Sequence, residues 1–138
     1  MIILDTDTFS LFASGHPRVR ARFATAVDEV TITLITRIEA LEGRFAFILR
    51  AEDGANLLRA QEWLQRTEAA LAPFPPMPFD DAAADEFDRL RQNKKLKKIG
   101  RADILIASIA LAHRATQVTR NLKHFQLVPG LKLENWVD

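Results

Sequence analysis

Apolar residues recur along this chain in two rhythms. Short runs rich in β-branched side chains, Ile2 to Leu4, Val30 to Ile35, Gln117 to Thr119 and Leu131 to Leu133, predict strands, the last on a sheet edge. Between them the spacing lengthens to three and four. A short helix is expected through Phe9, Leu11 and Phe12, capped by Asp7 or Thr8 and closed by Gly15 and Pro17. A second is expected from Pro17 to about Asp28 on Val19, Phe23 and Val27. Thr36 opens a third, to about Arg50, whose stripe is Ile38, Leu41, Phe45 and Ile48, and Glu39 three places on completes the pattern of a capping box. A fourth starts at Asp53 or Gly54 and runs to Leu71. Pro73, Pro75, Pro76 and Pro78 exclude helix interior, so this segment connects elements, with an edge strand expected near Leu71 to Phe74. Asp80 or Asp81 caps a fifth, through Phe87 and Leu90 to the basic run Asn93 to Lys98. From Arg101 to Ala115 nearly every side is apolar, which predicts a helix buried in mid-domain, and Asn121 to Phe125 reads as a turn or single helical turn.

Strands alternating with helices imply an α/β fold with a mainly parallel sheet and helices on both faces. The 138 residues suit one domain, 1–138, and no repeat or low-complexity stretch interrupts it. The formal charge of +1, from 19 basic and 18 acidic residues, names no partner by itself. Absence of cysteine excludes disulfides and thiolate metal sites. No membrane-spanning segment or export signal is visible, which leads us to expect a cytoplasmic protein.

Candidate chemistry gathers where strands end. Asp5 and Asp7 follow the first strand, Glu39 follows the second, Asp103 opens the buried helix and Asn121 follows the third strand. Singly, each has a structural reading as a helix cap, a capping-box partner, a dipole-favoured acid or a turn residue. Together they differ, because parallel strands present their carboxyl ends on one edge of the sheet, where ligands bind. Carboxylates gathered there repel one another unless some protonate or a cation sits between them. Oxygen donors without His or Cys suit Mg²⁺ or Mn²⁺, and His16, His113 and His124 lack zinc-like spacing. Such a site supports in-line phosphodiester hydrolysis. Thr6, Ser10 and Thr119 are candidates to add a hydroxyl, and Gly43, one turn past Glu39, leaves room for a substrate or ion or merely permits a close helix contact.

Asp5-Thr6-Asp7 after an apolar strand, Thr36 to Gly43, Asp103 to Ala107, Val118 to Phe125 and Pro129 to Trp136 together resemble the PIN-domain ribonucleases, and more closely the VapC toxins of bacterial toxin–antitoxin pairs. The resemblance runs in order over nearly the whole chain. It implies a three-layer α/β/α fold, Mg²⁺- or Mn²⁺-dependent endonucleolytic cleavage of RNA, and a homodimer or higher toxin–antitoxin assembly inhibited by a cognate VapB-like antitoxin. By position it assigns catalytic roles to Asp5, Glu39, Asp103 and Asn121, with Asp5, Asp103 and Glu39 as metal ligands. Asn121 stands where many members have aspartate, and Asp7, where asparagine is frequent, is expected to restore part of that lost charge at the metal site.

RNA beside an acidic site needs a cationic rim. Lys94, Lys95, Lys97, Lys98 and Arg101 precede Asp103, and Arg37 and Arg44 flank Glu39, so these are candidates to hold phosphates; the lysines equally suit a solvated helix C-terminus. Phe9, Phe12, Phe23, Phe45, Phe47 and Trp63 are expected in core or dimer surfaces, with Trp136 anchoring the C-terminus. Two other readings stand beside the nuclease. Asp5 as nucleophile and Asp7 as acid/base would suit a haloacid-dehalogenase-like phosphatase, although the chain is short for one and lacks the later acidic pair. The fold could also serve as a non-catalytic RNA- or protein-binding module, for which Asn121 is the one argument.

Overall fold

The computed structural model describes residues 1–138. Its centre is a sheet of four three-residue strands, β1 (Ile2–Leu4), β2 (Val30–Ile32), β3 (Thr116–Val118) and β4 (Lys132–Glu134), in the order β2-β1-β3-β4. Every pairing is parallel, with Ile2 opposite Val30 and Thr116, and Thr116 opposite Lys132. Because successive side chains of a strand face opposite ways, β1 serves two cores. Ile2 and Leu4 join Ile32 and Val118 against Phe9, Phe12 and Val19 of α1 (Thr6–Ala13) and α2 (Pro17–Thr25). Ile3 packs on the other face with Ala83 of α5 (Asp81–Arg91) and Ile109 and Ala110 of α6 (Arg101–Ala112). The result is the expected three-layer α/β/α arrangement.

Helices α3 (Leu34–Arg50) and α4 (Gly54–Leu71) pack against each other, and Leu71 reaches the α1–α2 core. As expected, α6 is buried over most of its surface, from Ile104 through Ala110 except Leu105. A 3₁₀ turn at Lys94–Leu96 and the one-turn α7 (Leu122–Phe125) complete the chain. Trp136 is buried in the α1–α2 core and donates from Nε1 to Glu134 at 2.9 Å, so it does anchor the C-terminus. No helix is long and apolar enough to cross a membrane.

Several boundaries differ from the sequence reading. β2 ends at Ile32, and Thr33, not Thr36, caps α3, its side chain accepting from the Thr36 amide at 3.2 Å. Glu39 is therefore in the second turn of the helix and takes no part in a capping box. Asp5, not Asp7 or Thr8, caps α1. No strand forms at residues 71–74; instead the proline-rich segment makes one parallel bridge, Thr33 with Met77, in which the Leu34 amide donates to the Met77 carbonyl and the Met77 amide to that of Ile32. Helices α2 and α6 stop at Thr25 and Ala112, three residues short of expectation, and β3 and β4 lie one residue from their expected positions.

Candidate functional site

Asp5 is the first residue beyond β1, and its amide still donates to Val118 at 3.0 Å, so strand pairing extends up to the acid. Its Oδ1 accepts from the Thr8 amide at 2.9 Å, and the residue is only 6% exposed. The cap and the site are therefore the same side chain: one oxygen is committed to α1, and the other is held at the sheet edge. Burial raises the Asp5 carboxyl above its ordinary value, hydrogen bonding from Thr119 and Thr8 opposes this, and the charge of Asp7 adds to the rise. Thr119, fully buried just past β3, accepts the Asn121 amide on its hydroxyl at 3.0 Å.

Glu39 is half-buried on α3, and its Oε1 accepts from the Thr6 hydroxyl at 2.6 Å. Thr6 Oγ1 is also 3.1 Å from Thr36 Oγ1. A hydroxyl has one hydrogen, so the chain runs in one direction: Thr36 donates to Thr6, and Thr6 donates to Glu39. A carboxylate receiving a hydroxyl hydrogen at this length is charge-assisted and held in place.

Asp103, half-buried in the first turn of α6, has its carboxyl raised by burial, then by the charges of Asp5, Glu39 and Asp7, while His124 pulls it down. Carboxylates from the end of β1, from α1, from α3 and from α6 thus lie near enough to act on one another's charge. None of the four is among the ion pairs of the molecule, which involve Glu134, Glu86, Asp80 and Asp138.

Asn121 lies at the rim, exposed, with Nδ2 placed 2.9 Å from Nδ1 of His124. Either the amide donates to an unprotonated Nδ1 or, turned over, its carbonyl accepts from Nδ1–H. His124 is a residue that sequence reasoning passed over, because it was judged only as a zinc ligand. Its spacing of three from Asn121 across a helical turn was the available signal.

The donor set is one a hard divalent cation takes, all oxygen and locally in excess of negative charge. As they stand, however, no three acids or histidines are close enough together to grip an ion. The carboxylates therefore share the sheet edge without a chelating geometry. The reason is visible in the local bonds, which turn Asp5 toward Thr8 and Glu39 toward Thr6.

The candidate phosphate contacts divide. Lys94, Lys95, Lys97, Lys98, Arg37 and Arg101 are exposed and in no ion pair, and Arg101 and Arg91 both lie over the Phe87 ring, at 5.6 and 5.7 Å. Arg44 instead turns along α4, its Nε donating to Thr67 at 3.0 Å. Of the six aromatic residues expected in core or dimer surfaces, Phe9 and Phe12 are core and Phe23 packs beside them, while Phe45, Phe47 and Trp63 are exposed.

Residues 2–131 match the PIN domain family model. The chain is 26% identical over 137 residues to the tRNA(fMet)-specific endonuclease VapC of Salmonella typhimurium, covering 97% of this chain and 96% of that protein. It is 58% identical to Ribonuclease VapC2 of Rickettsia felis over 38 residues, a match spanning 28% of either protein. In structure it is similar to a chain of VapBC2 from Rickettsia felis bound to a DNA fragment from their promoter, with a TM-score of 0.77, 27% identity and 99% of each chain covered. An acid-rimmed parallel sheet edge on this topology, matched from the first strand to the last by one family model, places the chain in the PIN-domain family.

Proposed function

We propose that the chain is a Mg²⁺- or Mn²⁺-dependent endoribonuclease acting in the cytoplasm as the toxin of a toxin–antitoxin pair. The observation that carries this reading is the gathering of the Asp5, Asp7, Glu39 and Asp103 carboxylates, none of them in an ion pair, at the carboxyl edge of the sheet. The likeness to VapC proteins supports RNA as the substrate and a VapB-like antitoxin as partner. Asp5 and Asp103 would hold the ion, with the Asn121 carbonyl and Asp7 at its edge. A bound divalent ion supplies Lewis acidity toward the phosphate and lowers the pKa of a coordinated water.

The chain's own residues account for the rest. Glu39, oriented by the hydroxyl relay from Thr36 through Thr6, takes the proton of the attacking water. The water oxygen bonds to phosphorus as the bond to the leaving ribose oxygen breaks, and that oxygen takes its proton from solvent. Because water attacks, the products carry no 2′,3′-cyclic phosphate. The exposed cations Lys94, Lys95, Lys97, Lys98, Arg37 and Arg101 offset the repulsion between an acidic cleft and a polyanion. A homodimer is part of the proposal, supported by the apolar side chains that α3 and α4 leave in water, Leu49 at 85% and Leu58 at 69% exposed.

The haloacid-dehalogenase-like phosphatase loses its ground with PIN-family membership, and Asp7 is an exposed residue of α1. The non-catalytic module keeps one argument, the uncharged Asn121. Expressing the wild type beside Asp5→Asn, which retains a capping side chain, separates the two. Growth arrest with specific RNA fragments in the wild type alone is expected, and equal growth of both strains would favour the module.

A further inference from the structure

The acidic site continues into a groove of about 650 Å³ that runs from Thr6 and Glu39 between α1 and α4, with α3 as its floor. Gly43, one turn or about 6 Å beyond Glu39 along α3, forms part of that floor, and a Cβ placed on it would meet no heavy atom within 4 Å. The room foreseen above Glu39 therefore exists. At the far end are Arg44, Trp63 and Arg66. The Arg44 guanidinium lies over the Trp63 ring at 5.3 Å and is oriented by its bond to Thr67, while Phe47 meets the same ring edge-on at 5.3 Å. Trp63 is nevertheless 43% exposed. Arg66 is exposed, and neither arginine is in an ion pair.

We propose that this groove is a nucleotide subsite, in which the Trp63–Arg44 pair stacks one base of a single-stranded RNA and Arg66 holds the adjoining backbone phosphate. The inference rests on the ribonuclease reading for what happens at Glu39, but the groove makes its own chemical case. A planar aromatic ring joined to a guanidinium is a platform for a planar base, and single-stranded segments are the ones whose bases are free to leave their own stack. A free guanidinium beside such a platform suits the phosphate that each base carries with it. An acidic peptide would satisfy the arginines and leave the ring without a planar partner. The subsite would lie directly beside the scissile bond, so it would bear on which sequence is cut.

Only Trp63 and Trp136 are tryptophans, and Trp136 is 2% exposed, so a change in fluorescence on ligand binding reports on Trp63. The test titrates hexauridylate and hexaadenylate into the full chain carrying Asp5→Asn, alone and combined with Arg66→Gln or Gly43→Leu. In parallel, cleavage of the same oligonucleotides is measured in the Asp5 background. Gly43→Leu fills the groove and replaces a poor helix former, so it does not threaten the fold. Saturable quenching that weakens about tenfold in either variant is expected, with KM raised about tenfold and kcat little changed; Trp63→Ala should raise KM similarly. Cleavage with unaltered KM in all three variants and no quenching would overturn the subsite and leave the nuclease standing. Quenching by the hexamers, with no cleavage of total cellular RNA by the wild type in the presence of Mn²⁺, would uphold the subsite and remove the nuclease. Quenching by hexaglutamate with none by either RNA would overturn the proposal in favour of an acidic peptide.

Discussion

A threonine hydroxyl has one hydrogen to give, and Thr6 spends it on Glu39 at the point where water would be activated. Thr6→Val keeps the shape and the β-branch and removes the donor, so kcat on RNA should fall roughly tenfold, the worth of one hydrogen bond to a charged group, while the buried Thr36 hydroxyl, left without its acceptor, lowers Tm by a few degrees. Wild-type kcat in Thr6→Val would show that Glu39 needs no such support. Asp103 gives a stability test whose sign is fixed. Its folded-state pKa is raised above 3.8, so the folded chain binds more protons than the unfolded chain just above that value, and stability falls as pH rises through the window. Asp103→Asn cannot ionise; it should melt higher than the wild type at pH 7, with the advantage shrinking below the ordinary aspartate pKa. Scanning calorimetry across pH reads this directly, and equal melting at pH 7 would mean that neither burial nor the neighbouring acids disfavour the charged form of Asp103. Asp5, Glu39 and Asp103 could be foreseen as neighbours because each follows an element whose end lies on the same sheet edge. The Thr6–Glu39 bond could not, since it depends on where α3 settles.

At the scale of elements, the start of α3 shows what sequence alone leaves open. Thr33 and Thr36 are both able caps, and an acid three places after Thr36 favours it on pattern. The deciding contact comes from the proline-rich segment, whose Met77 takes the Leu34 amide and donates to the Ile32 carbonyl, ending β2 at that point. Helix then begins at Leu34, and Glu39 is turned toward Thr6 and away from its own helix terminus. Thr33→Ala should cost about 1 kcal/mol, or roughly 3–5 °C in Tm for a chain of this size, by loss of the cap. Thr36→Ala should spare the cap and lower kcat instead. Reversal of the two effects would restore Thr36 as the cap. The remaining boundary differences, one to three residues at strand and helix ends, arise at positions where either conformation suits the side chain and tertiary contacts choose.

Across the whole molecule a net charge of +1 conceals separation: carboxylates at the strand ends, and lysines from Lys94 to Lys98 in exposed positions without acidic partners. The parallel sheet with helices on both faces was legible from the alternation of strands and helices. The surface that α3 and α4 turn outward was not, because an amphipathic stripe does not say whether its neighbour belongs to the same chain. If the lysines hold RNA, replacing Lys94, Lys95, Lys97 and Lys98 with Gln should raise KM and flatten its dependence on salt. Cleavage unchanged at moderate salt would assign them to solubility alone. Replacing Leu49 and Leu58 with Ser should lower the mass seen by light scattering without altering cleavage per site, and an unchanged mass would place the dimer contact elsewhere. Beneath all of this is the claim that the crowded acids share a divalent ion. The most direct measurement is a calorimetric titration of Mn²⁺ into the wild type and into Asp103→Asn. Saturable binding to the wild type that is lost or weakened at least tenfold in the variant is the expected result. No binding to the wild type, or equal binding to both, would contradict it.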